Sequence, residues 1–124
     1  MKYIHSDNAP APIGPYSQAI DVNGFIFTSG QIALDPQTGN IVSEEIEAQV
    51  HQVIKNLQAV LIEAGSGLSK VVKTTIFLAN MNDFAKVNEI YGSYFASTKP
   101  ARSTVEVSVL PKNVLVEIDC IAVK

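Results

Sequence analysis

"VLVEIDCIAV", residues 114–123, alternates with the period of a strand, and its two faces differ. Val114, Val116, Ile118, Cys120 and Ala122 make one wholly apolar face, suited to burial under helices. Leu115, Glu117, Asp119, Ile121 and Val123 make the other, half apolar and half charged. A solvated face does not usually hold Leu115, Ile121 and Val123, so another subunit is the economical cover for it.

Working outward, "LPKN" (110–113) joins this strand to a second one at 103–109. There Arg102, Thr104, Glu106 and Ser108 lie opposite Val105, Val107 and Val109. Pairing these two strands through the four-residue turn sets Glu106 opposite Glu117, and such like charges side by side argue against that register. Before them, Phe84, Val87, Ile90, Tyr91, Tyr94 and Phe95 form the stripe of a helix over about 83–97, with Asn82 as candidate cap and Pro100 beyond its end. "VVKTTIFLA" (71–79) is β-branched and predicts a strand. Over 44–64, Ile46, Val50, Val53, Ile54, Leu57, Val60, Leu61 and Ala64 share another helical stripe. Ser43 is its expected N-cap, Glu44, Glu45 and Glu47 suit the positive end of its dipole, and Gly65 is its expected stop. The first third reads as β: "QAIDV" and "FIFTSG" flank the Asn23-Gly24 hairpin turn, and "QIAL" follows, closed by "DPQTGN". The order β-β-β-α-β-α-β-β predicts an α+β fold in one domain, 1–124: a mixed sheet with two helices packed on one face.

Composition narrows the function. Residues AVILMFWYC make up 47% of the chain and charged ones 17%, which is globular. A net charge of -3 gives no electrostatic case for nucleic acid or an anionic membrane. "MKYIHSDNAPAP" lacks the apolar core of a signal peptide, and no apolar run approaches the roughly 20 residues that span a bilayer. A single cysteine forms no internal disulfide, which fits a reducing, cytoplasmic setting. His5 and His51 stand apart with no ligand spacing around them, so no metal site is expected.

Few residues suggest chemistry. "GSGLSK" (65–70) lacks the Gly-Lys-Ser/Thr ending of a phosphate loop. Cys120 lies on the apolar face and reads as a buried structural thiol. No Ser/His/Asp set can be assembled. Tyr16 reads as a packing residue, Ser29 as a turn residue beside Gly30, and Asn88 as a solvated helix position. Arg102 and Glu117 are harder to dismiss. A guanidinium at the mouth of a strand makes a good carboxylate receptor. A carboxylate on a covered face has its pKa raised by desolvation and lowered by a nearby arginine, so the two together can tune a proton-handling group.

At these residues the sequence resembles the Rid (RidA/YjgF) family of reactive-intermediate deaminases over essentially its whole length. The resemblance rests on "APIGPYSQAI", "TSGQIAL", "VVKTTIFLANMNDFAKVNEIYGSYF" and "KPARSTVEVSVLPKNVLVEIDCIA". It implies a chorismate-mutase-like fold, a homotrimer with sites in clefts between subunits, and hydrolysis of 2-imino acids to 2-oxo acids and ammonia without metal or organic cofactor. By the same resemblance Arg102 binds the substrate carboxylate and Glu117 positions the attacking water. Tyr16, Ser29, Gly30 and Asn88 line the pocket. Thr104 stands where deaminating members commonly carry cysteine, which bears on rate and substrate choice. The rival reading is a non-catalytic small-molecule binder or regulator that uses the same cleft.

Overall fold

The computed structural model describes residues 1–124. Eight elements follow in order: β1 (Lys2–Ile4), β2 (Ala19–Val22), β3 (Phe25–Thr28), α1 (Ile46–Glu63), β4 (Val71–Leu78), α2 (Phe84–Phe95), β5 (Ala101–Glu106) and β6 (Val116–Val123). The strands form one sheet ordered β1-β2-β3-β6-β4-β5, with β4 and β5 parallel and the other pairs antiparallel. Both helices lie on one face, as the two-sided pattern of residues 114–123 requires. The expected stripe of α1 is buried throughout, and it shares one core with Ile26, Ile76, Leu78, Val116, Ile118 and Ala122 of the sheet. Each fully buried aliphatic side chain there contributes about 1.5–3 kcal/mol of transfer free energy.

The turn signals hold where a left-handed backbone is required. Asn23 and Gly24 both have positive φ, at 53° and 81°, and close the β2–β3 hairpin. Gly65 (φ 80°) ends α1 in a Schellman arrangement, its own N–H bonded to Ile62 O and that of Ser66 to Leu61 O.

Several expectations are corrected. Ser43 does not cap α1. The capping position is Glu45, with no side-chain cap, and Ser43 Oγ instead accepts the Glu45 N–H at 3.0 Å. Only Glu47 of the three acids falls in the first turn. Asn82 is not the cap of α2; Asn80 caps a preceding 3-10 turn by accepting the Asn82 N–H. "QIAL" is not a strand. It touches the sheet through a single bridge, Gln31 to Ile118, while Leu34 pairs with Ile41 across the Asp35–Gly39 turn instead. The third strand of the early β region is instead the short β1, whose tripeptide carries too little pattern to be read in advance.

The largest difference lies at the end of the chain. β5 and β6 are not neighbours, because the β4–α2–β5 crossover sends β5 to the outer edge and β4 lies between them. Glu117 therefore faces Phe77, and Glu106 accepts the Met81 N–H at 2.7 Å. The like-charge contact never forms.

The second face of the sheet has no layer over it. Phe25, Phe27 and Val105 are each more than 40% exposed there, beside Ile20, Phe77 and Ile121. No helix is long and apolar enough to cross a membrane.

Candidate functional site

Register assigns Arg102 and Glu117 to opposite faces of the sheet. Arg102 pairs with Thr74, whose hydroxyl bonds the Tyr91 hydroxyl of α2 at 2.7 Å, so Arg102 stands on the helix side. Glu117 pairs with Phe77 on the open side. Each residue lines its own cavity.

The Arg102 cavity, about 380 Å³, lies where α2 ends and the chain turns into β5, with Asn88, Tyr91, Lys99 and Pro100 in its wall. Arg102 Nη1 donates to Asn88 Oδ1 at 2.7 Å. The guanidinium carbon lies 5.5 Å from the Phe84 ring centroid and 5.0 Å from that of Tyr91. Asn88 thus sits outside the apolar stripe of α2 for a reason other than solvation, since it orients the guanidinium. Burial pushes the Tyr91 phenol up, which keeps the ring a neutral platform under the cation. With Nη1 engaged by Asn88, the guanidinium that lines the cavity keeps further donors suited to a carboxylate. Thr104, two residues along the same face, carries a buried hydroxyl with no partner.

The Glu117 cavity, about 410 Å³, gathers Tyr16, Ser29, Gly30, Ile32 and Lys112 around the carboxylate. Gly30 comes so close that a methyl group there would collide with Glu117 Oε2. Ser29 Oγ donates to Ser17 O at 2.5 Å, tying the end of β3 to the N-terminal loop. Tyr16 is half exposed, and its hydroxyl accepts the Ile13 N–H at 3.4 Å. Glu117 is held above the ordinary carboxylate range, first by burial and then by the charge of Asp119. No arginine contributes, so the expected lowering by a neighbouring arginine does not occur within the chain.

The structure therefore brings Tyr16, Ser29, Gly30 and Glu117 together, and Asn88 with Arg102, but not the two groups with each other. Three buried amides absent from the sequence reading tie down nearby backbone, two of them at the wall of the Glu117 cavity. Gln18 bonds Ser6 and Pro10, Asn56 Nδ2 donates to Ile32 O and Leu34 O, and Gln49 Oε1 accepts the Leu115 N–H. Asn56 and Gln49 are buried beside the apolar stripe of α1, at helical spacing from Val53, and that position is the sequence signal for buried polar groups with a structural task. Outside the site, His51 Nδ1 bonds the Tyr94 hydroxyl and His5 bonds Asp7. Cys120 is buried against Thr28 and pushed up to about 12 by burial. No three His, Cys, Asp or Glu side chains converge into a metal-ligand set.

Residues 6–124 match the family model described as Endoribonuclease L-PSP. A RutC family protein of Synechocystis is 65% identical, covering 99% of this chain and 96% of that protein. The chloroplastic Reactive Intermediate Deaminase A of Arabidopsis thaliana is 51% identical over 96% of this chain and 64% of its own length. The crystal structure of E. coli TdcF with bound serine superposes with a TM-score of 0.95 at 40% identity, covering 100% of this chain and 99% of that one.

Proposed function

The chain belongs to the Endoribonuclease L-PSP family, the Rid (YjgF/RidA) proteins, and on that premise we propose that it hydrolyses 2-imino acids. The substrates are 2-iminopropanoate and 2-iminobutanoate, or their enamine tautomers, released by pyridoxal-phosphate dehydratases. The products are 2-oxo acids and ammonia. The observation that carries the reading is the split between Arg102 and Glu117. One chain presents a carboxylate receptor on one face of its sheet and a proton-handling carboxylate on the other, each beside an open cavity. Two copies that bury the apolar second face bring a receptor from one to the carboxylate of the next, in a homotrimer with three composite clefts. The relative named for deaminating reactive intermediates supports the chemistry, and the serine bound to TdcF supports an amino-acid-shaped ligand.

The reaction asks for little. Arg102 holds the substrate carboxylate through a bidentate pair. A water beside Glu117 attacks C2 of the N-protonated imine while the carboxylate takes its proton. The resulting carbinolamine collapses as Glu117 returns that proton to nitrogen; ammonia leaves with the C–N bond pair while the carbinolamine hydroxyl gives its proton to the Glu117 carboxylate and becomes the 2-oxo carbonyl. Holding imine and water together replaces a bimolecular encounter. Asn88, Thr104 and the Tyr91 ring keep the receptor in place, and Tyr16, Ser29 and Gly30 shape the wall around the water.

Subunit complementation tests both the enzyme and the shared cleft. Arg102→Lys keeps the charge but loses the fork, so kcat/KM falls by roughly 10²-fold and a product-like 2-oxo acid binds less tightly. Glu117→Gln keeps oxo-acid binding and loses turnover. Mixed one to one after co-refolding, the two inactive variants form trimers in which about a quarter of clefts unite parental Arg102 with parental Glu117. Imine decay followed by stopped flow then recovers toward that fraction. No recovery refutes the shared cleft, and parental turnover in Glu117→Gln refutes the role of Glu117.

A further inference from the structure

A file of polar groups crosses the otherwise apolar second face. Glu117 and Asp119 are two residues apart on β6, so their side chains leave the same face about 6.6 Å apart by the rise of a strand. Asp119 lies opposite Thr75 of β4, whose side chain favours the ionised carboxylate. One step further along β4, Lys73 donates to Ser103 Oγ at 3.1 Å and to Thr74 O at 3.4 Å. The flanks are apolar: Phe77 faces Glu117, Ile121 faces Lys73, and Phe27 and Val105 lie beyond them. Lys112 and Tyr16 are the other titratable groups of the chain at the Glu117 cavity, and the shared cleft proposed above adds the Arg102 guanidinium of a neighbouring copy, which is unchanged in every variant below. None of the three charged members of the file forms an ion pair at contact distance. They act on one another through space rather than by direct ion pairing.

We infer that Asp119, without touching substrate, sets the pH at which Glu117 gives up its proton, and that Lys73 is its counterweight. An anion fixed two residues away on the same face makes a second negative charge harder to place, so Glu117 retains its proton to higher pH. Burial raises Asp119 as well, and Thr75 and Lys73 work against that rise and favour its charged form. The causes acting on Glu117 agree with this geometry, with burial first and Asp119 second. For the deaminase reading, on which the catalytic side of this inference rests, the arrangement serves a need. A carboxylate that must accept a proton from water and return it to an amine works best when it titrates near the working pH.

The test uses the intact oligomer with its glutamate carboxyls ¹³C-labelled, and reads the Glu117 midpoint by NMR beside the pH–rate profile. Asp119→Asn keeps the shape and removes the charge. The Glu117 midpoint moves to lower pH, and the acid limb moves with it, giving a roughly threefold higher rate relative to plateau on the acidic side. Lys73→Met moves the upper apparent midpoint of the pair the opposite way. A merely structural role lowers kcat in both variants and moves neither midpoint in opposite senses. An unmoved midpoint in Asp119→Asn, or equal shifts of one sign in both variants, overturns the inference. The NMR measurement needs no turnover, so an inert protein whose midpoint moves as stated refutes the deaminase reading and upholds the coupling.

Discussion

Adding one methyl group at Gly30 should disable the site while leaving the fold intact. Gly30 does not have a left-handed backbone, so a side chain there meets no conformational penalty; what forbids it is Glu117. A Cβ at this position would lie 2.8 Å from Glu117 Cδ and 3.0 Å from Cγ, and closer still to Oε2. Ordinary carbon contacts begin near 3.5 Å, so the carboxylate has to retreat by roughly 0.7–1 Å. Forcing the Glu117 side chain off its rotamer costs about 0.5–1.5 kcal/mol. Replacing glycine by alanine returns about 0.4–1 kcal/mol through the unfolded chain, so the melting temperature stays within a few degrees. A displacement near 1 Å of a proton-handling group lowers turnover by about 10²-fold. Imine decay measured by stopped flow, with circular dichroism melts alongside, checks both numbers. Because the methyl acts through Glu117, adding Gly30→Ala to Glu117→Ala causes no further loss. Parental turnover in Gly30→Ala, or an equal loss in both backgrounds, would refute the reasoning.

Two further outcomes follow from burial. The Cys120 thiol, 3% exposed and pushed up to about 12, should be inert to a disulfide reagent at pH 8 in the native protein and release one equivalent per chain in denaturant. Rapid native labelling would show that the β6 core opens. Glu117 and Asp119 bind protons more tightly in the fold than in the unfolded chain, so their contribution to stability is fully present below the ordinary carboxylate range and is lost as pH rises through their raised values. Glu117→Gln removes part of that slope and raises neutral-pH stability by less than about 1 kcal/mol after solvent screening. Urea midpoints at pH 4 and pH 8 give the comparison, and a variant less stable than its parent at pH 8 would contradict it.

Period and turn chemistry were legible in the chain itself. The stripes of both helices, the Asn23-Gly24 hairpin, the Gly65 stop and the two unequal faces of residues 114–123 are local facts, because each depends on neighbours a few positions away. The motif around Arg102 and Glu117 was equally visible, and so was the need to cover a half-apolar face. Strand order was not. Residues 103–109 and 114–123 are adjacent in sequence, yet a helical crossover places β4 between them, and only the competition for pairing across the whole sheet settles that. The partner of Arg102 was hidden for the same reason. Asn88 reads as a solvated helix position until β5 is laid beside β4 and its side chains turn toward α2. Gly30 looks like a turn glycine until Glu117, 87 positions later, arrives against it. Side-chain period is written in the sequence, but which face of which strand meets which cavity follows from register. Register belongs to the folded sheet, and it sends the guanidinium and the carboxylate to opposite sides.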